Sequence, residues 1–272
     1  FLNHFDEKGT QEIWRHPAMG VGQIVEKLVQ GIKSRGGDII YNAKVLEIVE
    51  KDNLITSLAL EIDNERININ PKMIISSIPI ENLHSMIFKT KLQDKKIISA
   101  KRGTILVYLF INGITNFKNP WLNVSCPNLK IGRITNYSNF KGRMVPKGKS
   151  CICVEFFLDS DDKIFDLENS EIVKIAIDDC NTANLIDEKH INHNIVLKLR
   201  HANAAVSWED YLNDKEKLKL FERAAKIKNL LNINRPGMDK ASYAGLAAAD
   251  AIINHNYDDF YQKTHPIEQK RQ

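Results

Sequence analysis

The sequence lacks an apolar run long enough to cross a bilayer. Its longest apolar stretches, such as residues 105–111, fall far short of the ~20 residues that a membrane helix needs. The N-terminus also lacks the basic and then apolar pattern of a secretion signal. We therefore expect a cytoplasmic protein without stable membrane insertion.

Cysteine is scarce, and none of the four residues forms a C-x-x-C pair. A Cys-rich zinc site or a dithiol redox pair would need that spacing. Cys151 and Cys153 are two positions apart and so share one face of a predicted strand. We expect reduced, structural thiols there, as is usual in the cytoplasm.

Charge of one sign is not in large excess, since 38 Lys and Arg against 34 Asp and Glu give a net charge of +4. Only residues 141–149 (KGRMVPKGK) form a basic cluster, which is typical of a solvated loop. We therefore predict no nucleic-acid binding. The G-x-S-x-G and Walker motifs are missing. The pair His190-x-x-His193 falls in a predicted loop, so no metal site is expected.

The most informative stretch is residues 230–253, LLNINRPGMDKASYAGLAAADAII. An apolar strand leads into a tight turn, and a helix with many small residues follows. Gly237 allows the chain to approach a ligand closely, and Asp239 suits the first turn of a helix. Such a unit can present backbone N–H groups to an anion. The alternative is a strand and a well-capped surface helix that bind nothing.

Three further motifs occur upstream of that stretch. Residues 17–22 read P-x-x-G-x-G before a helix and a Gly-Gly pair, residues 42–45 read N-x-x-V, and residues 75–79 read I-S-S-x-P. Together with the C-terminal turn and helix, this ordered set resembles the flavoprotein superfamily of monoamine oxidases, protoporphyrinogen oxidase, phytoene desaturases and UDP-galactopyranose mutase. The resemblance spans essentially the whole chain.

One part of that superfamily pattern is missing. Its members begin with a strand, a G-x-G-x-x-G turn and a helix, and no such segment occurs here. The chain also begins with Phe1 rather than Met. We therefore expect the C-terminal two-thirds of a longer flavoprotein, or a truncated paralogue.

The resemblance implies FAD as cofactor and a small-molecule substrate, and it assigns no catalytic residue. It places glycines near the flavin ring, a strand backbone against adenine, and a serine pair and an Arg–Gly turn near the pyrophosphate. The implied cofactor-binding residues are Gly20, Gly22, Val45, Ser76, Ser77, Arg235, Gly237, Met238 and Asp239. The implied substrate contacts are Arg133, Trp208 and Tyr211. For each residue a structural role is the alternative: a turn, a strand end, a solvated loop charge for Arg235, or core packing.

The fold expected from the resemblance is α/β, an incomplete FAD/NAD(P)-binding domain of the glutathione-reductase type with an antiparallel-sheet substrate domain. Residues 17–80 and 225–256 are the expected FAD-binding pieces. Residues 1–16 and 81–224 form the expected substrate domain, and residues 257–272 a tail. The implied function is that of an FAD-dependent oxidoreductase. A mutase similar to UDP-galactopyranose mutase and a degenerate, non-catalytic binding module are the alternatives.

The hydrophobic pattern adds local predictions. Residues 1–16 read as the end of a helical segment, and the next helix should bury Ile24, Leu28 and Ile32, which recur at helical spacing. Residues 54–62 and 66–69 predict a hairpin. The segment from Asn256 onward is expected to fray. The remaining predictions are strands at 73–77, 102–112, 121–124, 130–137, 150–158 and 194–199, with helices at 169–181, capped by Ser170, and at 215–230.

Overall fold

The computed structural model describes residues 3–5, 11–13, 16–89, 101–140, 142–204, 215–235 and 237–264. The chain forms two compact units. Unit 1 contains residues 1–39 and 101–203, and unit 2 contains residues 40–100 and 204–272. Residues 17–39 group with the long strands of unit 1, and the division into FAD-binding and substrate-binding domains stays a prediction.

The described residues contain twelve strands and six α-helices. The strands are β1 (Asn3–Phe5), β2 (Gln11–Ile13), β3 (Lys44–Lys51), β4 (Leu54–Ile62), β5 (Glu65–Ile69), β6 (Ile74–Ser76), β7 (Lys101–Asn112), β8 (Trp121–Asn123), β9 (Arg133–Asn136), β10 (Lys149–Asp159), β11 (Ile191–Ala204) and β12 (Leu230–Asn232). The helices are α1 (Gly22–Lys33), α2 (Ile80–Phe88), α3 (Asn169–Thr182), α4 (Lys215–Ala225), α5 (Met238–Ile253) and α6 (Tyr257–Thr264). None of these helices is long and apolar enough to cross a membrane.

Unit 1 is built on a five-stranded sheet with the order β11-β7-β10-β9-β8. Alternate residues of the central strands, such as Ile105, Val107 and Ile152, are completely buried and pack with α3. This confirms the predicted antiparallel sheet with one helix packed on it. Helix α3 starts at Asn169, and the Glu171 carboxylate accepts a hydrogen bond from the Glu168 N–H at 3.0 Å. The predicted cap at Ser170 is therefore wrong, since that residue lies inside the first turn.

Two predictions about the start of the chain are wrong. Strands β1 and β2 pair as an antiparallel hairpin where the end of a helix was expected. Helix α1 forms as predicted, yet its apolar stripe is not buried: Ile24, Leu28 and Ile32 are 46%, 62% and 46% exposed. The helical spacing identified the stripe correctly but does not specify a surface for it to pack on.

Unit 2 contains the predicted hairpin, as part of the sheet β3-β4-β5. The turn between β4 and β5 consists of Asp63 and Asn64, both with positive φ (49° and 67°). Positive φ at both central residues matches the right-handed twist of the paired strands, and Asp and Asn tolerate it best after glycine. The turn chemistry therefore fixes this pairing locally.

The second sheet of unit 2 is a parallel pair, β6 and β12, with Ile74 opposite Leu230. Leu230 packs with α2, α4 and the three-stranded sheet, whereas Leu231 packs with α5 and α6. Both faces of β12 are therefore covered, as is usual for parallel strands.

The expectation of a frayed C-terminal segment is wrong for residues 257–264. They form α6, whose Phe260 and Thr264 are completely buried. The Tyr261 hydroxyl also donates a hydrogen bond to the Leu230 carbonyl at 2.7 Å. The polar composition predicted a solvated tail, but the buried Phe260 ring and the Tyr261 hydroxyl hold this helix against unit 2.

We expect the buried Asn229 to stabilise unit 2 strongly. Its side chain exchanges two 2.9 Å hydrogen bonds with the backbone of Ile55, and its carbonyl accepts one from the Ile74 N–H. Asn229→Ala leaves the buried N–H and carbonyl of Ile55 without these hydrogen-bond partners. It should lower the free energy of unfolding by about 2 to 4 kcal/mol. Urea unfolding followed by circular dichroism measures this. The exposed Asn70→Ala should cost less than about 0.5 kcal/mol; equal losses would contradict the assigned role.

All four cysteines are free thiols, and Cys151 and Cys153 share a strand face as predicted. Burial raises the pKa of Cys153 to about 12 and that of Cys180 also to about 12, whereas Cys126 is exposed. Because the thiolate is the reactive form, iodoacetamide at mildly alkaline pH should alkylate Cys126 first. Cys153 and Cys180 should react only in denaturant. Peptide mapping by mass spectrometry tests this, and early labelling of Cys180 would contradict it.

Candidate functional site

The carboxyl ends of β6 and β12 bring two of the predicted motifs together in unit 2. Parallel strands end at the same edge of a sheet, where ligands of open α/β sheets bind. The Ile233 N–H donates to the Ser76 carbonyl at 2.9 Å, and Asn234 Nδ2 donates to the Ser77 carbonyl at 3.1 Å. Ser77 is exposed, whereas the buried Ser76 hydroxyl accepts a bond from the Ile78 N–H at 3.2 Å.

Helix α5 starts directly at this edge. Gly237 precedes it with φ of 92°, a backbone conformation that favours glycine, and a Cβ atom there would also lie 2.7 Å from Oδ1 of the exposed Asp239 side chain. The N-cap residue is Gly237 itself, which has no side chain to cap the helix, and Met238 is 70% exposed. The first-turn N–H groups are thus oriented towards an acceptor at the positive end of the helix dipole. A helix start of this kind can bind an anion or a carbonyl oxygen, and the role of residues 237–239 in binding a cofactor stays a prediction.

Arg235 lies beside this edge but is only 8% exposed. Its Nε and Nη2 donate to the Thr264 carbonyl at 3.2 and 3.0 Å, and its guanidinium stands 5.0 Å from the Phe221 ring centroid. The alternative of a solvated loop charge is therefore wrong. The guanidinium satisfies the last carbonyl of α6, and its contact with a pyrophosphate stays a prediction.

The predicted glycines at the start of α1 belong to unit 1. Gly20 has φ of 95°, and its N–H donates to the Pro17 carbonyl at 3.0 Å in a tight turn. A Cβ atom at Gly22 would have no described atom within 4 Å, so no neighbour requires glycine at this position. The N-cap residue, Val21, gives no side-chain hydrogen bond. The Gln23 and Ile24 N–H groups instead donate to the backbone carbonyls of Gly20 and Val21 at 3.1 and 3.0 Å, so the first turn of this helix is already hydrogen-bonded within the chain.

Val45 lies in β3, half-buried against the core of unit 2. It pairs with Leu60, and a register shift follows between Val45 and Glu47. The shift marks a β-bulge, which leaves one residue of the strand unpaired. The implied contact of the Val45 backbone with adenine stays a prediction.

A second polar region lies on the five-stranded sheet of unit 1, on the face opposite the buried core. Residues paired across antiparallel strands point to the same face. One row contains Trp121, Thr135, Cys153 and Tyr108, and the next contains Arg133 and its partner on β10. We call this surface the polar face.

The centre of the polar face is an ion pair between Arg133 and Glu155. Arg133 donates to both carboxylate oxygens at 2.8 and 2.6 Å, and Thr135 Oγ1 adds a third bond at 2.8 Å. The Glu155 side chain is 8% exposed and that of Arg133 44% exposed. The guanidinium also lies 5.5 Å from the Phe157 ring centroid. Hydrogen bonding to Glu155 raises the pKa of Arg133 further, so the cation is fixed.

Two phenols and a thiol adjoin this ion pair. The rings of Tyr108 and Tyr137 stack at 6.1 Å, and burial raises the pKa of both hydroxyls. Phe140 continues the aromatic surface, 6.0 Å from Tyr137 and 6.3 Å from Trp121. The phenols therefore remain protonated near neutral pH and act as hydrogen-bond donors and acceptors.

Sequence reasoning found only one member of the polar face, Arg133. Tyr108 and Glu155 sit at alternate positions of two predicted strands, but the register that unites them is not visible in the sequence. Trp208 and Tyr211, the other implied substrate contacts, lie outside the described residues.

His190 ends a short 3-10 helix directly before β11. His190 is near Asp187, with 3.8 Å between Nε2 and Oδ2, and His193 lies on β11 with its ring 5.5 Å from that of Phe110. Among the described residues no three metal-binding side chains cluster.

The fold is similar to that of several flavoproteins of known structure. A reduced UDP-galactopyranose mutase matches with a TM-score of 0.66 at 15% identity, over 91% of this chain and 54% of the mutase. A protein from Exiguobacterium sp. 255-15, provisionally assigned as a protoporphyrinogen oxidase, gives 0.60 at 11% identity, over 92% and 51%. Putrescine oxidase with bound putrescine gives 0.53 at 14% identity, over 86% and 53%. The chain thus spans about half the length of each.

No curated protein sequence matches this chain. The sequence does match a protein family, however, described as flavin containing amine oxidoreductase, over residues 1–253. That match covers both compact units and includes each predicted motif. The mixed helix-and-sheet fold agrees with it, and the chain belongs to the family of flavin-containing amine oxidoreductases.

Proposed function

We propose that this chain forms the substrate-facing sheet and part of the flavin site of an FAD-dependent oxidoreductase that acts on a small molecule. Residues 17–80 and 225–256 contribute to the flavin site, and residues 1–16 and 81–224 contribute the substrate side. The observation that carries the proposal is the uncapped N-terminus of α5 at the carboxyl edge of a parallel strand pair. That is the arrangement in which nucleotide cofactors bind to open sheets.

The residues of that edge fit a flavin. Backbone N–H groups after Gly237 would meet carbonyl or phosphate oxygens, and that glycine places no side chain in the way. The exposed Ser77 hydroxyl adds a donor near this helix start. When bound, FAD supplies the electron-accepting chemistry. The chain's own groups orient it and donate hydrogen bonds to its oxygens.

The edges of the parallel pair support a binding domain of the glutathione-reductase type that is larger than two strands. The Ile74 N–H and the Ser76 carbonyl form hydrogen bonds with the β12 segment. Since successive residues of a strand direct their backbone groups to opposite edges, the Ile75 N–H and carbonyl point to the other edge of β6. The Ile75 side chain is 45% exposed. On the far edge of β12, the Tyr261 hydroxyl already occupies the Leu230 carbonyl. A further parallel strand would therefore pair with β6.

The polar face supports an oxidoreductase over a mutase that binds a sugar diphosphate. A dianionic diphosphate calls for several convergent guanidinium groups. Arg133 is already paired with Glu155, and Arg200 donates to Asp166 at 2.6 Å on the opposite face of the sheet. The polar face thus offers phenols and a neutralised arginine rather than a cationic cluster.

A flavin titration of the chain and of its complete gene product tests the proposal. We expect the chain alone to be colourless after desalting and the complete product to retain FAD. In the complete product, Gly237→Ala should weaken FAD about tenfold, because the strained turn misplaces one or two N–H donors. Gly113→Ala is the matched control, since Gly113 also has positive φ (124°) but no neighbour within 4 Å. Equal FAD affinities of the two variants would overturn the proposal.

A further inference from the structure

The polar face of unit 1 continues into an exposed apolar region along β11. The His193 ring lies 5.5 Å from the Phe110 ring of β7, which shows the face to which the odd-numbered residues of β11 point. Ile195, Leu197 and Leu199 follow on that face and are 43%, 44% and 45% exposed. Even-numbered Val196 packs instead on the buried core. One continuous sheet face therefore joins an apolar half to a hydrogen-bonding half.

Arg133, in the hydrogen-bonding half, is held in position by only part of its N–H groups. Nε and Nη2 of Arg133 bond to Glu155, while Nη1 has no hydrogen-bond partner among the described residues. The bidentate hydrogen bonds to the carboxylate fix the plane of the guanidinium, and the Phe157 ring lies on one side of it at 5.5 Å. The remaining N–H groups are therefore presented in one geometry to a ligand oxygen.

The charge at this position selects among ligands. Glu155 is buried and accepts three hydrogen bonds, so it has little capacity left for an ammonium group. Because Glu155 already balances the charge of Arg133, the pair suits one carboxylate rather than a multiply charged diphosphate. A monoanionic acceptor is the best match.

The spacing of the two halves sets the length of the ligand. Strands β11 and β9 are separated by β7 and β10, so three strand spacings of about 4.8 Å give roughly 14 Å between the apolar row and Arg133. On this face of β7, Leu106 lies directly opposite Glu155, and Tyr108 is the next residue along the strand. A flexible or planar apolar body can lie across these side chains.

We propose that, within the oxidoreductase proposed above, the polar face binds an amphiphilic monocarboxylate. Its carboxylate bonds to Arg133, and its apolar body extends across β10 and β7 to Leu197. Arg133 is then a substrate-binding residue and Glu155 a positioning residue. That this is a substrate site rests on the function proposed above, but binding of the carboxylate itself needs no flavin.

Isothermal titration of the full chain with four probes below their micelle concentrations tests the proposal. Dodecanoate is expected to bind, dodecylamine and butyrate to bind far more weakly, and dodecanol to show an intermediate affinity. Arg133→Gln should weaken dodecanoate about tenfold and leave dodecanol unchanged, because one charge-assisted hydrogen bond is lost. Leu197→Asn, at an exposed position, should weaken dodecanoate and dodecanol alike.

Arg200→Gln is the matched control. Arg200 also pairs with a carboxylate at 2.6 Å and lies 4.9 Å from a phenylalanine ring centroid, but on the opposite face of the same sheet. It should leave dodecanoate binding unchanged. Preferential binding of dodecylamine, or equal effects of the Arg133 and Arg200 variants, would overturn the proposal. Loss of flavin binding in the complete product with intact dodecanoate binding would refute only the proposed function.

Discussion

The parallel pairing of β6 with β12 is the constraint on which unit 2 depends. It joins Ile74 to Leu230, residues far apart in the chain, and the buried amide of Asn229 ties the same point to Ile55 of β4. Leu230 and Leu231 then face different hydrophobic clusters, so one strand organises both. The candidate flavin edge exists only because this pairing places Ser77 beside the turn before α5.

The sequence predicted most clearly those features whose cause is local. The turn at Asp63 and Asn64 and the alternating strands of the five-stranded sheet required only neighbouring residues to be recognised. The apolar stripe of α1 and the docking of Phe260 could not be predicted in the same way. Both depend on whether a distant surface is present to cover an apolar side chain, and amphipathic spacing carries no information about that.

The same distinction applies to the site. Gly237 and Ser76 lie in contiguous motifs, so their region was found from the sequence, whereas Tyr108 and Glu155 become neighbours only through strand register. A shift of one residue in β10 would turn Glu155 into the core and Phe156 onto the polar face. The residues that make up the polar face are thus set by strand pairing, in which Glu155 lies opposite Arg133 and Leu106. The sequence of any one strand does not show that pairing.

Two arginines near the candidate surfaces show how burial decides function. Arg235 lies in a motif that resembles a cofactor-binding turn, yet its donors are directed at protein carbonyls and its side chain is buried. Arg133 stands in no motif, but it is partly exposed, and the buried carboxylate of Glu155 fixes it without using all of its N–H groups. The Arg235 guanidinium, whose N–H groups bond to the protein, stabilises α6. The Arg133 guanidinium is held in place but keeps N–H groups without a protein partner among the described residues, so it is preorganised to bind a ligand. Arg133 therefore carries the stronger physical argument for recognition, although the motif pointed to Arg235.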